Sequence, residues 1–282
     1  MGKNPNKMTL EQIIQNKELF LKNYGIENEF EESCCDWDEL MEIARQFDEK
    51  RQTEYPKIIK KYISEISEFE SIHSYRYRIK ETDSLIKKVI LKTKEKRLPI
   101  RKKDYLTEIT DLLGIRVLYV FKEDYFEVHR QIHDAYKEQM VEPLQIKLQP
   151  GDDIKIYEKI LKYKHSIDNK GPYRSIHYTL CATPNNMKGP RLEIQTRTIF
   201  EEAWSEINHK LVYKNREMSE YFALVQASKI LSDLVGNCDT LGMLMKTIHD
   251  EYTKQLSEND LEKGTAQSNI IMGEVLQRFL MK

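Results

Sequence analysis

Strand-forming texture in this chain is confined to its middle, with helical periodicity on both sides. That arrangement narrows the available folds more than any other feature. Gly114-Ile-Arg-Val-Leu-Tyr-Val-Phe121 is rich in β-branched and aromatic residues and reads as a buried strand. Tyr173-Arg-Ser-Ile-His-Tyr-Thr-Leu-Cys181 alternates with period two, as does Arg191-Leu-Glu-Ile-Gln-Thr-Arg197. Pro184-Asn-Asn-Met-Lys-Gly-Pro190 between them is turn chemistry and predicts an antiparallel hairpin. Upstream, Leu10, Ile13, Ile14, Leu19 and Phe20 recur at helical spacing behind Thr9, a good N-cap. Trp37 opens a second helical stretch, which Pro56 kinks or restarts and which runs on through Ile59, Tyr62 and Ile66. A third covers Ser84 to Lys96, so the first hundred residues read as helix. Glu123 to Gln139 returns to helical spacing, and a long helix is expected from Ser219 to Ser257. Glu258 to Gly264 then separates it from a shorter helix near the end. The tail's apolar face, with Leu224, Ile230, Leu231, Leu234, Leu241, Leu244 and Ile248, is expected to cover the sheet or the N-terminal helices. Helices, then a mixed sheet, then helices make an α+β protein.

The balance of 45 Lys+Arg against 46 Asp+Glu gives a formal net charge of -1, so no global field draws the chain to nucleic acid or a membrane. No apolar run approaches the roughly 20 residues that span a bilayer. The opening residues lack the continuous apolar segment of a secretion signal. Cys34, Cys35, Cys181 and Cys238 match neither a disulfide framework nor a zinc spacing, which makes the cytoplasm the expected compartment.

Polar residues concentrate in short blocks. In Arg78-Ile-Lys80-Glu-Thr-Asp-Ser84-Leu-Ile-Lys-Lys88, Ser84 and Lys88 share a helical face with Arg78 and Lys80 at its mouth. Such a basic helix start suits a polyphosphate, although it also describes a solvated helix end. Asp111, at the entry to the first strand, reads as a helix cap or as a metal ligand. Alternation puts Glu193, Gln195 and Arg197 on one strand face, where a sheet core has no use for them unless they find partners. Two carboxylates from different strands, ringed by cations, match what magnesium-assisted phosphoryl transfer requires. Tyr173, beside the Gly171-Pro172 turn, is either a strand-start tyrosine or a platform for a nucleobase.

The ordered set RIKETDSLIKK, DLLGIRV, YRSIHY, EIQTRT and EEAWSEINHKL resembles the RelA/SpoT synthetase family from about Tyr75 to Tyr213. The resemblance implies a nucleotidyltransferase-like mixed sheet of about five strands flanked by helices. Residues 1–74 and 214–282 would form helical extensions of a 75–213 core. It also implies transfer of pyrophosphate from ATP to the 3′-hydroxyl of GDP or GTP with Mg²⁺. Asp111 and Glu193 would hold the metal and act as the catalytic pair, Glu193 being the candidate base. Arg78, Lys80, Ser84, Lys88 and Arg116 would bind ATP. Tyr173 would stack on guanine, with His177, Gln195 and Arg197 beside it, and Arg174, Glu202, His209 and Lys210 would support the site.

The chain departs from the family pattern on the acceptor side. Pro172 separates Gly171 from Tyr173, Asn208 stands where an acid is common, and Lys164 to Lys170 lacks an Asn-Pro-Lys arrangement. The segment before the core is too short for the hydrolase domain of bifunctional relatives, so the expectation is a stand-alone synthetase. Two His-Asp pairs, His133-Asp134 and His249-Asp250, fall on helical stretches and read as surface residues. The alternatives are a toxic relative that modifies tRNA 3′ ends or adenine nucleotides beside an antitoxin, and an inactive nucleotide sensor. Terminal helices leave room for a homo-oligomer.

Overall fold

The computed structural model describes residues 8–183, 187–213 and 221–257. Thr9 starts helix α1 (Leu10–Gln15) through a capping box with Gln12. Asn16 interrupts the expected stripe, because its side chain caps α2 (Lys17–Tyr24) by accepting the Leu19 N–H. Gly25 ends α2 at φ 57°, a left-handed conformation that favours glycine. Helices α3 (Glu27–Ser33), α4 (Trp37–Thr53, capped by Asp36) and α5 (Tyr55–Ile66) follow. Pro56 sits in the first turn of α5, so it restarts a helix instead of kinking one. Ile59 and Ile66 are buried from α5, each contributing about 1.5–3 kcal/mol.

The reading of the first hundred residues as helix is corrected by β1 (Ser74–Ile79). This strand lies at the sheet edge with Tyr75, Arg76, Tyr77 and Arg78 all exposed. With no apolar face to bury, it has no apolar period to read. Helix α6 (Thr82–Lys96), the short α7 (Tyr105–Glu108) and β2 (Leu113–Tyr119) come next. Helix α8 (Tyr125–Tyr136) lies between two 3-10 turns. Then come β3 (Leu144–Lys147), α9 (Glu158–Leu161), β4 (His165–Asp168), β5 (Ser175–Cys181) and β6 (Arg191–Thr198). They form a mixed sheet of six strands, where about five were expected, in the order β1-β2-β6-β5-β3-β4. β1–β2, β3–β5 and β5–β6 are antiparallel and β3–β4 is parallel. The predicted hairpin is the β5–β6 pair, with residues 184–186 of its turn outside the described set.

The two sheet faces differ in chemistry. Ile115, Val117, Ile146, Ile176, Tyr178, Leu180, Leu192 and Ile194 are buried on one. The opposite face carries Arg76, Arg78, Arg116, Lys147, His177, Thr179, Glu193, Gln195 and Arg197, as the alternation and registers require. On the apolar side, α8 sets His129, 1% exposed, with Nδ1 3.1 Å from the Tyr178 hydroxyl. Its Nε2 has no hydrogen-bond partner. Burial, then the nearby His133 and Lys162, lower its pKa from 6.5 to about 4, with Asp134 opposing. The folded state therefore holds His129 neutral where the unfolded chain protonates it. Stability is full above pH 6.5 and falls by about 3 kcal/mol as pH drops to 4. Urea unfolding of the wild type across that range is expected to show the loss, and His129→Phe to flatten it.

Two compact units divide the chain. The first comprises the residues up to Leu118 together with Phe126–Arg197, and the second comprises Tyr119–Tyr125 and the residues from Thr198 on. In the second, Thr198 opens α10 (Ile199–Asn208) with a capping box to Glu201. A π-helical turn (His209–Tyr213) follows, and the long C-terminal helix is α11 (Phe222–Ser257). Trp204 donates to the Ser228 carbonyl at 2.8 Å, and Thr198 to Asp239 at 3.0 Å. Lys246 pairs with Asp124. The tail's apolar face is not covered throughout: Leu244 is buried, while Ile230, Leu234 and Leu241 are exposed. The helix carries more apolar rows than α10 can cover. The expected shorter helix near the end lies outside the described residues. Among the described residues no helix is long and apolar enough to cross a membrane.

Candidate active site

Asp111 lies in the turn between α7 and β2, and its carboxylate takes cations in place of helix N–H groups. Lys80 Nζ is 2.8 Å and Arg78 Nη2 3.4 Å from Oδ2, and Lys88 Nζ is 2.7 Å from Oδ1. Backbone pairing brings them together. Arg78 lies opposite Gly114 in the β1–β2 ladder, and the Lys80 N–H extends that ladder to the Leu112 carbonyl at 2.9 Å. Lys88 arrives separately, one turn after Ser84 on the half-buried face of α6.

The clamp has opposite effects at its two buried ends. Burial raises the Asp111 pKa, but Lys80 and Lys88 outweigh it and bring the value from 3.8 to about 2. Burial lowers the Lys80 pKa, Asp111 restores part of it, and Lys88 and Arg78 add to the fall, leaving it below the ordinary lysine value. Asp111 draws on three cations while Lys80 has a single anion, so the carboxylate gains and the ammonium loses. The cluster therefore carries three cations against one carboxylate.

Glu193, on β6, anchors a second network. His177 Nδ1 is 3.1 Å from its Oε1, and Gln195 Nε2 donates to its Oε2 at 2.6 Å. Arg197, fully buried, donates to Gln195 Oε1 at 2.8 Å and to the Tyr173 hydroxyl. That hydroxyl lies 3.4 Å from His177 Nε2 and from Gln195 Oε1. Burial lowers the His177 pKa against the pull of Glu193. The neutral ring thus donates from Nδ1 to a carboxylate and leaves Nε2 as an acceptor. Burial alone would raise Glu193, yet the His177 and Gln195 hydrogen bonds hold it below the usual range. The charge of Asp111 reaches Glu193 and opposes that fall, so the two carboxylates are neighbours electrostatically.

Both carboxylates are ionised at neutral pH and offer hard oxygen donors, a set that fits Mg²⁺. Among the described residues no group of three or more His, Cys, Asp and Glu gathers for a metal. Two carboxylates leave the remaining octahedral positions to phosphate oxygens and water, which is the usual magnesium arrangement.

The first unit brings together Arg78, Lys80, Lys88 and Asp111 in one cluster and Tyr173, His177, Glu193, Gln195 and Arg197 in another. Ser84 shares its helix face with Lys88, and burial raises the pKa of the half-buried Tyr173 phenol, with Arg197, Ser175 and then Arg116 opposing the rise. The Tyr173 ring packs 4.7 Å from the Arg197 guanidinium and edge-on to His177. Arg174 turns aside, bonding Asp152 at 2.7 and 2.9 Å, and so fastens the loop before α9 to the start of β5. Glu202, on α10, and His209 and Lys210, in the turn after it, belong to the second unit. Lys147, whose Nζ is 5.9 Å from the Tyr173 ring centroid, was missed in the sequence. Thr179 and its partner Glu142, 3.0 Å apart, were missed too. Period-two alternation of Leu144-Gln-Ile-Lys147 was the available signal for Lys147, but the run is only four residues long.

A model described as a region found in RelA/SpoT proteins matches residues 77–218. GTP pyrophosphokinase YwaC of Bacillus subtilis (strain 168) is 26% identical over 158 residues, covering 52% of this chain and 64% of that protein. The chain thus matches less than two thirds of this relative's length. Bacillus subtilis small alarmone synthetase 1 bound to its product pppGpp is 23% identical, with 76% of this chain and 97% of that chain covered at a TM-score of 0.44. A GTP pyrophosphokinase family protein from Streptococcus pneumoniae is 21% identical, with 79% and 98% covered at a TM-score of 0.44.

Proposed function

Because the chain belongs to the RelA/SpoT family, whose model spans half of it, we propose that it transfers pyrophosphate from ATP to the 3′-hydroxyl of GDP or GTP. The observation that carries this reading is the convergence of Arg78, Lys80 and Lys88 on Asp111, on the sheet face that also bears Glu193. A bound divalent cation, held by Asp111 and Glu193, would supply charge neutralisation on the donor phosphates. Arg78, Lys80 and Lys88 share their hydrogen bonds between Asp111 and those phosphates, so the donor enters an array of positive charge already in position. Ser84, at the helix start, adds a hydroxyl and the N-terminal end of the α6 dipole. Glu193, ionised and oriented by His177 and Gln195, accepts a hydrogen bond from the acceptor's 3′-hydroxyl and takes its proton as the 3′-oxygen bonds to the β-phosphorus and the bond between the α- and β-phosphates of ATP breaks, releasing AMP. A carboxylate of low basicity suffices, because phosphoryl transfer of this kind depends mainly on positioning and charge. Tyr173, stiffened by Arg197, stacks on the guanine of the acceptor.

The purified protein, incubated with γ-labelled ATP and Mg²⁺ against GDP, GTP, adenine nucleotides and bulk tRNA in turn, is expected to label the guanine nucleotides at the 3′ position. Label on tRNA alone would overturn the acceptor assignment. Absence of label on every acceptor would overturn the reaction.

A further inference from the structure

The N-terminal helices carry no residue of either cluster, yet they hold the three residues between the Lys80 and Ser84 positions. Arg51 on α4 donates to Glu81 Oε2 at 2.6 Å. Thr82 donates to Asp48 Oδ1, also on α4, at 2.7 Å. Tyr24 on α2 donates to Asp83 Oδ2, and the Lys87 ammonium lies 5.7 Å from the Tyr24 ring centroid. Thr82 and Asp83 are buried, so their two contacts are not surface pairs that water would replace, while the Arg51–Glu81 pair is half-exposed at the edge of the same segment. Three consecutive residues are thus tied to two helices that come from more than 25 positions upstream.

The place of these ties matters. Glu81 is the N-cap residue of α6, yet its side chain makes no cap hydrogen bond. An unrestrained carboxylate at a helix N-terminus would compete with a phosphate for the exposed N–H groups and repel it. The Arg51 guanidinium both draws that carboxylate away and offsets its charge. The same ties fix the peptide that joins the end of β1 to α6, and hence the spacing of Lys80 from Ser84 and Lys88. Displacement of about 1 Å at such a site is enough to cost substantial activity.

We propose that Tyr24, Asp48 and Arg51 are positioning residues that set the donor-phosphate cradle, making α2 and α4 part of the donor site. The inference rests on the ATP-donor reading above. It is tested on the full chain with Tyr24→Phe, Arg51→Met and the double variant, which remove hydrogen bonds while keeping ring and stem packing. Lys94→Met serves as the matched control, because Lys94 ties the far end of α6 to Glu32 of α3 at 2.8 Å.

Isothermal titration with ATP·Mg²⁺ alone, followed by steady-state kinetics, is expected to show a 5- to 20-fold (order-of-magnitude) weakening for ATP in the double variant. The KM for the acceptor should be unchanged and kcat lowered less than about threefold, with Arg51→Lys restoring part of the loss. The control should match the wild type. Equal weakening for ATP and acceptor, or the same weakening in Lys94→Met, would mean general loosening and would overturn the inference. So would unaltered ATP binding in the double variant. A wild-type protein that binds no ATP would overturn the donor reading as well, which separates the two failures.

Discussion

Asp111→Asn is expected to lower kcat by about 10³-fold and also to destabilise the fold by about 3 kcal/mol. Both effects have one origin. The carboxylate is the shared counter-charge of Arg78, Lys80 and Lys88, and Lys80, whose side chain is 10% exposed, has no other acid within ion-pair distance among the described residues. Removing the charge leaves a buried ammonium without an anion, a heavier penalty than losing the attraction itself. The two effects are separable by a second substitution. Asp111→Asn combined with Lys80→Met removes the stranded charge along with its former partner. The double variant should recover most of the lost stability, read by urea denaturation, and none of the activity. Equal stability of the single and double variants would show that the clamp is not the source of the destabilisation.

Glu193→Gln should behave differently. Its carboxylate takes hydrogen bonds from the neutral His177 ring and from Gln195, and a glutamine amide can keep one of them. No buried cation depends on it directly. The expected stability loss is below about 1 kcal/mol, while kcat falls roughly 10²- to 10³-fold, because the substitution removes both roles proposed for Glu193, metal contact and proton acceptor. The KM for ATP should change little. An activity loss under threefold would remove Glu193 from the chemistry, and a stability loss as large as that of Asp111→Asn would show that its network is structural.

The sequence made the β5–β6 half of the site legible and the β1–β2 half only partly so. Glu193, Gln195 and Arg197 declare a shared face by alternation, and the turn residues after Cys181 imply the hairpin that sets His177 opposite Gln195. The convergence on Asp111 could not be read in the same way. It depends on the register that puts Arg78 opposite Gly114, in a strand whose exposed Tyr-Arg repeat carries no apolar period. β3 and β4 escaped for a related reason. Each has four residues, and the exposed β4 edge has no buried face to advertise it. The interruption at Asn16 was missed because a capping residue inside an apolar stripe is visible only once its side chain turns toward the next helix.

The division of the sheet into an apolar and a polar face has a genetic consequence. On β5 and β6 the odd-numbered residues 177, 179, 193, 195 and 197 carry the polar chemistry, whereas the even-numbered 176, 178, 180, 192 and 194 fill the core. A single-codon deletion inside β6 would exchange the two sets over the rest of that strand, turning charged groups into the interior and Ile194 toward solvent. Point substitutions can silence this protein and leave it folded, as Glu193→Gln should. Frame-preserving length changes within the central strands cannot, because catalytic alignment and hydrophobic burial are written in the same two-residue period.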